Sequence, residues 1–213
     1  MKTNFQKFCC LLWGVALLVL FVECEVQISL RNLTKSFGYR SLSKGKNEVS
    51  LSAYALLFSE VVQYCQNKVH TVPELQAKLA EMGQEVGVKL IDLYFVREKN
   101  FKREIKLLNM LLFIKTTLWK GLFGKEADKL EHANDDERIY YLIEKEPIVN
   151  RYISVPKDKS SLNCAMFIAG IIESILNAAG FTCKVSAHWH KGTTYMVTFD
   201  DSVINKEKQT EDR

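Results

Sequence analysis

The sequence has little proline, little glycine and no long run of like charges, and each shortage excludes a class of protein. Three prolines and ten glycines among 213 residues are too few for a collagen-like or low-complexity chain. Basic residues number 29 and acidic residues 25, which leaves a net charge of +4, so a nucleic-acid partner is not required. Hydrophobic residues make up 47% of the chain, enough to offset the entropy of ordering one globular domain.

Cysteine is sparse, and catalytic motifs are missing. The cysteines form neither a CxxC pair nor the dense spacing of a disulfide scaffold, which predicts reduced thiols in the core. They are Cys9, Cys10, Cys24, Cys65, Cys164 and Cys183. The sequence contains no nucleophile elbow, no HExxH motif and no glycine fingerprint for dinucleotides. We therefore expect no enzyme, no catalytic residues and no cofactor.

One long hydrophobic run stands near the N-terminus. Residues 8–22 carry no charge, with lysines before them and an acidic residue after them, which is the layout of a secretory signal. A helix of this length spans about 22 Å, short of the roughly 30 Å of a bilayer core. A signal peptide and a strained membrane anchor both stay open. A glycosylation sequon at Asn32 follows, so a secreted or lumenal binding module is one hypothesis for function.

Composition divides the chain into four segments. Residues 1–24 are the signal-like or anchor-like segment, and 25–47 are polar and irregular, as expected of a flexible linker. The periodic, apolar part over 48–201 predicts a single domain. Residues 202–213 are expected to form a polar tail that frays.

Hydrophobic periodicity predicts three helices in the first half of the domain. Apolar residues recur at intervals of three and four over 50–68, which indicates a helix with one buried face. Thr71 and Glu74 have the spacing of a capping box and mark the start of a second helix. A third helix over 101–121 is apolar on too wide a surface to face solvent, and we expect it to be central.

The second half of the domain predicts one helix and four strands. The helix starts after Ser160 or Ser161 and ends at Gly180, which suits the left-handed position after a helix. Four β-rich runs are typical of strands: 139–143, 152–155, 181–189 and 195–199. Lys191 and Gly192 turn the last two into a hairpin. The predicted fold is α+β, with helices packed on one face of a four-stranded antiparallel sheet.

Two groups of polar residues are weak site candidates. His188 and His190 share one face of a strand and could bind a metal, with further ligands drawn from His132, Cys164 and Cys183. Histidines at a strand end beside a turn, solvated or hydrogen-bonded locally, are the favoured interpretation of this weak spacing, so we predict no metal site. A basic cluster surrounds the start of the third helix and is interpreted as a solvated face, with an anionic lipid or acidic partner as the alternative. It comprises Arg97, Lys99, Lys102, Arg103 and Lys106.

Apolar residues surround the first and third predicted helices. A single layer of four helices on four strands leaves one helix edge and one sheet face open. Part of the apolar surface is therefore expected to contact another subunit, against the alternative that all of it is core. The sequence does not assign individual partner-binding residues.

Several uninterrupted strings, read in order, carry a resemblance to a known family. They are EVSLSA at 48–53, ALLFSE at 55–60, LFGKEADKLE at 122–131, ANDD at 133–136, YISVPK at 152–157, LNCA at 162–165 and AHWHKGTT at 187–194. These strings resemble the small-subunit family of the trafficking protein particle (TRAPP) complex. The resemblance covers about residues 48–205.

The resemblance implies a fold and a function. The fold would be that of a TRAPP small subunit, in agreement with the α+β fold predicted above. The function would be that of a non-catalytic core subunit of an assembly that tethers vesicles between endoplasmic reticulum and Golgi and promotes nucleotide exchange on a Rab GTPase. Subunit three and subunit two (sedlin) are the implied neighbours. The implied location is cytoplasmic, peripheral at the cis-Golgi and the endoplasmic reticulum.

Two features depart from the family. Subunit three carries an acylated cysteine between its second and third helices, whereas this chain has no cysteine over 97–101, so acylation is not expected here. The hydrophobic run over 8–22 conflicts with a cytosolic partner set. It is either a membrane anchor or a segment that the native protein lacks. We favour the second, because the flanking charges would place the domain on the far side of the membrane.

Overall fold

The computed structural model describes residues 50–97 and 104–211. The signal-like segment and the linker predicted over 1–47 lie outside the described residues. The helices are α1 (Leu51–Gln66), α2 (Val72–Arg97), α3 (Leu107–Phe113), α4 (Trp119–Phe123), α5 (Ile148–Arg151), α6 (Met166–Ala179) and α7 (Asp201–Glu211). A π-helical turn (Ile114–Leu118) joins α3 to α4, and a 3-10 turn (Lys157–Lys159) precedes α6. The strands are β1 (Lys129–His132), β2 (Ile139–Glu144), β3 (Cys183–Trp189) and β4 (Thr193–Phe199).

The strands form one antiparallel sheet in the order β1-β2-β4-β3. Leu142 on β2 lies opposite Tyr195 on β4, and Val185 on β3 lies opposite Val197. All four belong to the hydrophobic core, because alternate side chains of a strand point to the same face. The α+β fold with a four-stranded antiparallel sheet, predicted from the sequence, is confirmed.

Local sequence signals place several boundaries as expected. The amide of Glu74 donates to Thr71 Oγ1 at 3.3 Å, and the Glu74 carboxylate accepts from the Thr71 amide at 3.3 Å, which is the predicted capping box. Gly180 follows α6 with φ of 91°. Lys191 and Gly192 have φ of 50° and 100° and turn the β3–β4 hairpin, as predicted.

One predicted strand is wrong, and another was missed. Residues 152–155 are irregular, since they lie between the short α5 and Pro156, and Pro156 has no amide to donate to a strand ladder. The fourth strand is instead β1, whose sequence KLEH lies outside the four runs predicted as strands. An edge strand needs few apolar positions, and Leu130 alone packs on the core.

Three helix predictions also differ from the structure. α6 begins at Met166 and not after Ser160, because Asn163 Oδ1 accepts from the Ala165 amide at 3.1 Å and starts the helix there. It buries 11 of its 14 residues and is therefore the central helix. The sequence analysis had predicted that position for the third helix, over 101–121. The C-terminal segment is the helix α7, with Val203 buried, whereas a fraying tail was expected.

Close contact between α2 and α6 depends on glycine. A Cβ added at Gly83 of α2 would overlap the carbonyl oxygen of Phe167, and one at Gly170 of α6 would overlap that of Ala80. Gly87, one turn further along α2, meets the backbone of α6 in the same way. Backbones this close leave no room for any side chain larger than hydrogen, so these glycines set the distance between the two helices.

Side chains of α6 also cap the free edge of β3. The Asp200 amide donates to the Thr182 carbonyl at 3.0 Å, so the backbone groups of Thr182 point toward β4. Backbone groups alternate in direction along an antiparallel strand. The amides that point away from β4 are therefore those of Cys183, Val185 and Ala187. The three amides donate to Asn177 Oδ1 at 3.0 Å, Glu173 Oε2 at 2.9 Å and Met166 Sδ at 3.3 Å, respectively. This edge of the sheet is therefore closed to a further strand.

Replacing Gly83 by alanine is expected to lower the free energy of unfolding by about 1–3 kcal/mol, because the new Cβ forces α2 away from α6. Alanine would otherwise raise helix stability by about 1 kcal/mol, so the sign of the change tests the contact. Urea unfolding followed by circular dichroism measures it. The control Glu81→Ala, at an exposed site on the same helix, should stay within about 0.5 kcal/mol of the parent. A Gly83→Ala protein as stable as the parent would contradict the close approach.

Candidate interaction surfaces

An open apolar groove runs between α1 and α2. Its volume is about 390 Å³. Tyr54 and Phe58 of α1, Met82 and Val86 of α2, and Phe167 of α6 line it. Because the lining is almost entirely apolar, the groove suits a hydrophobic side chain or helix and offers little to a polar metabolite.

Exposed aliphatic residues stand along the same two helices. Leu56 on α1 is 72% exposed, and Leu51 and Val88 are also exposed. Glu85 and Lys89 join the groove lining on α2. An apolar centre with charged residues beside it is the composition of a protein–protein interface. We call the groove and its exposed leucines the α1/α2 face.

A second apolar surface lies on α3 and just before it. Ile105 is 70% exposed, and Leu108 and Leu112 are exposed as well. Their spacing of three and four places them on one side of the helix. Between them Leu107, Met110 and Leu111 are buried, so α3 is apolar on both sides. We call these three exposed residues the α3 face. They show that the core does not cover all of the apolar residues around this helix, as expected from the sequence.

Aromatic residues gather where the β3–β4 hairpin meets the end of β2. Trp189 is 54% exposed, and Tyr152 is exposed with the Arg151 guanidinium 5.7 Å from its ring centroid. Asn150 Nδ2 lies 3.4 Å from Thr193 Oγ1 and ties the two segments together.

The structure does not bring the candidate metal ligands together. His188 and His190 are exposed, and His188 Nε2 lies 2.8 Å from Ser186 Oγ. The described residues hold no group of three or more His, Cys, Asp or Glu side chains placed for a metal ion. His132 lies on β1, at the opposite edge of the sheet from β3, where its ring centroid is 4.5 Å from that of Tyr140 with the two planes tilted by 42°.

The cysteines of the domain are buried thiols. Cys65, Cys164 and Cys183 are all buried and free. Burial raises the pKa of Cys65 to about 11, of Cys164 to about 11 and of Cys183 to about 12. A thiol that stays protonated at neutral pH is a poor nucleophile and a poor metal ligand. The three residues act as small core side chains.

The basic cluster lies mostly outside the described residues. Lys106, just before α3, is exposed, and the other four side chains are not described. Within residues 50–97 and 104–211, no helix is both long enough and apolar enough to span a bilayer.

A buried carboxylate forms a polar centre that the sequence did not reveal. Glu144 at the end of β2 is 2% exposed, and Lys125 Nζ lies 3.2 Å from its Oε1. The side chains of Trp119 and Tyr195, both almost fully buried, complete the site. Among the described residues, neither the Trp119 indole nitrogen nor the Tyr195 hydroxyl makes a hydrogen bond of good geometry, but both lie close enough to the Glu144 carboxylate to interact with it. Glu144 follows the apolar Leu142 at a spacing of two, a pattern that marks it as facing inward.

Burial dominates the electrostatics of this centre. It raises the pKa of Glu144 above the usual carboxyl range, against the opposing effect of the Lys125 ammonium. Burial and the negative charge of Glu144 together raise the pKa of Tyr195 and of Tyr54. Tyr54 also lines the α1/α2 groove, so the charge of the polar centre is felt at that face.

Comparison with protein families gives one match. The model of the transport protein particle (TRAPP) component family matches residues 54–200. The chain is 58% identical to trafficking protein particle complex subunit 5 of Bos taurus, over 82% of this chain and 93% of the relative. It is 56% identical to subunit 5 of Homo sapiens with the same coverage. Saccharomyces cerevisiae subunit 31 is 24% identical, over 78% of this chain and 81% of the relative.

A solved structure shares the fold. The crystal structure of trafficking protein particle complex subunit 3 from Naegleria fowleri, covalently bound to palmitic acid, superposes with a TM-score of 0.62. The match covers 71% of this chain and 95% of the solved chain at 17% sequence identity. At that identity the likeness concerns the fold.

Glu144 predicts a pH dependence of stability. Its folded-state pKa is raised, so the folded protein binds more protons than the unfolded chain, and stability falls as pH rises from about 4.3 through the folded pKa. Replacing Glu144 by glutamine removes that loss. The unfolding free energy of Glu144→Gln, relative to the parent, should therefore increase as pH rises through this window in urea titrations. Lys125→Met, which removes the nearby cation, should steepen the fall in stability with pH. A constant difference between Glu144→Gln and the parent would contradict the assignment.

Proposed function

The chain belongs to the TRAPP component family, and on that premise we propose that it is a non-catalytic core subunit of a TRAPP vesicle-tethering complex. In this role it supports transport between endoplasmic reticulum and Golgi. It contributes shape and contacts to an assembly that, as a whole, promotes guanine nucleotide exchange on a Rab GTPase. The observation that carries the proposal is the match of residues 54–200 to the family, joined to two exposed apolar faces.

The two apolar faces support contact with two neighbours. The α1/α2 face contains Leu56, and the α3 face contains Leu108. They lie on different helices and are each broad enough to seat part of another protein. We propose that they hold two different subunits of the complex, with subunit three and subunit two (sedlin) as the neighbours.

The chemistry of the domain supports a role without catalysis. Its three thiols are buried with raised pKa values, and its carboxylate Glu144 is buried and lies 3.2 Å from the half-exposed Lys125. Neither arrangement presents an activated group to a substrate in solution. We propose that any effect on nucleotide exchange comes from the assembled surface.

We propose a cytoplasmic location, peripheral at the cis-Golgi and the endoplasmic reticulum. It follows from the proposed role, because a Rab GTPase and a tethering complex meet on the cytoplasmic side of these membranes. A secreted or lumenal binding module is not favoured by membership of this family.

Affinity capture with single charged variants tests the two faces. The tagged full chain, at endogenous expression, should recover other TRAPP subunits identified by mass spectrometry. Leu56→Glu should lose one neighbour and Leu108→Glu a different one, because each change buries a charge in one interface. Gln66→Glu, an exposed polar site at the end of α1, is the matched control and should recover the full set. Recovery of no TRAPP subunit by the parent chain would contradict the proposal, as would unchanged recovery by both leucine variants.

Nucleotide release tests the absence of catalysis in the isolated chain. The purified chain alone should leave GDP release from a Rab GTPase at its intrinsic rate, measured with a fluorescent nucleotide. The complex captured through the same tag should accelerate that release. Acceleration by the isolated chain would contradict a purely structural role.

A further inference from the structure

The two edges of the sheet differ in how their backbone groups are satisfied. On β3 the outward amides of Cys183, Val185 and Ala187 each donate to a side chain of α6. Within residues 50–97 and 104–211, β1 has β2 as its single sheet neighbour. The ladder bond from the Ala133 amide to the Ile139 carbonyl, 2.9 Å, continues the β1–β2 register.

That register fixes which groups of β1 point outward. Inward and outward residues alternate along an antiparallel strand, so Lys129 and Glu131 exchange bonds with β2, whereas Leu130 and His132 direct their amides and carbonyls away from it. Among the described residues, neither outward amide has a hydrogen-bond acceptor. His132 uses only its ring, whose Nε2 lies 3.2 Å from the Glu137 carbonyl. β1 is an open edge that can accept another strand.

We propose that β1 pairs with β1 of a second copy of this chain. The two strands run antiparallel about a two-fold axis through Leu130, and the two four-stranded sheets become one sheet of eight strands. Leu130 of each copy then donates its amide to the Leu130 carbonyl of the other. This interaction is independent of the proposed function, since it requires neither the α1/α2 face nor the α3 face.

Charge complementarity selects the second copy as the occupant. In this register Lys129 lies opposite Glu131 of the second copy, and Glu131 lies opposite its Lys129. The two side chains share the outer face of the sheet, where they are 67% and 40% exposed, and their charged atoms are 3.9 Å apart within one chain. Each would gain a directly opposite partner of opposite charge, the arrangement that stabilises antiparallel pairs.

The neighbouring register is disfavoured by the same charges. The backbone amides and carbonyls that point outward on one copy must pair with those that point outward on the other. Any other register must therefore still place the backbone groups of Leu130 and His132 between the two strands. Moving the axis to Glu131 would set two glutamates directly opposite each other, which is destabilising. The charges of KLEH therefore favour the register centred on Leu130 over the one centred on Glu131.

The contact is small, so the expected dimer is weak. A four-residue strand buries much less than the roughly 1,200 Å² of a stable interface. Self-association should accordingly depend on concentration. Sedimentation velocity of the full chain over a concentration series is the appropriate measurement, and it should show a monomer–dimer equilibrium.

Leu130→Pro tests the backbone pairing. Proline removes the outward amide but leaves the bonds from Lys129 and Glu131 to β2 in place, and it is tolerated on edge strands. Self-association should be lost, with far-ultraviolet circular dichroism unchanged. Because Leu130 also packs on the core, charge variants that leave Leu130 in place provide the second test.

Charge reversal tests the register. Lys129→Glu and Glu131→Lys should each weaken self-association about tenfold, since each places like charges opposite each other. The double variant Lys129→Glu/Glu131→Lys should restore it. An equimolar mixture of the two single variants should form a heterodimer, because each supplies the charge that the other needs.

Four results would overturn the proposal. They are a parent chain that stays monomeric throughout the series, self-association unchanged by Leu130→Pro, self-association unchanged by either charge reversal, and a double variant that restores nothing. Unchanged association in all variants would place the contact elsewhere on the chain. Loss of TRAPP subunits in affinity capture with normal dimerisation would contradict the proposed function and leave this inference standing.

Discussion

The close crossing of α2 and α6 is the contact on which the rest of the domain depends. Gly83 and Gly170 bring the two backbones together without intervening side chains, and α6 then lies in the centre of the molecule with nearly all of its residues buried. One side of α6 contacts α2, and polar atoms of Glu173 and Asn177 cap the edge of β3. A single helix thus joins the helical layer to the sheet.

The same arrangement determines which surfaces remain exposed. Because α2 is held against α6, residues of α2 and Phe167 of α6 together form a groove with α1. α3 presents leucines on the side that the core leaves uncovered. Glu144 is buried at the end of β2, whereas its partner Lys125 is half exposed, so only the carboxylate carries the cost of desolvation. The charge of Glu144 contributes to the raised pKa of Tyr54, which lines the groove, and so links the end of the sheet electrostatically to the α1/α2 face.

The sequence predicted the fold well where local signals and burial agree. The capping box at Thr71, the turn at Gly192 and the apolar alternation of β3 and β4 each have a local physical cause, and each was placed correctly. β1 was missed because an edge strand buries one side chain, Leu130, which is too little apolar pattern to recognise. The strand predicted over 152–155 failed because β propensity does not include the constraint from Pro156 and the neighbouring α5.

The interaction surfaces were only partly predictable. Excess apolar residues on the first and third helices indicated that some would stay exposed, but helix periodicity does not separate Leu108, which is exposed, from Leu107 and Leu111, which are buried. The burial of Glu144 was not predicted, because a charged residue at a strand end is usually solvated. The open edge of β1 follows from pairing register, which is a property of the sheet and not of any one segment.

Hydrogen exchange measured on the chain alone and within the captured TRAPP complex tests the central claim most directly. The account predicts that assembly slows exchange in α1, α2 and α3, whereas α6 is equally protected in both states because it is buried within the domain itself. Protection that is unchanged at α1, α2 and α3 on assembly would contradict the claim that these helices carry the contacts of the complex.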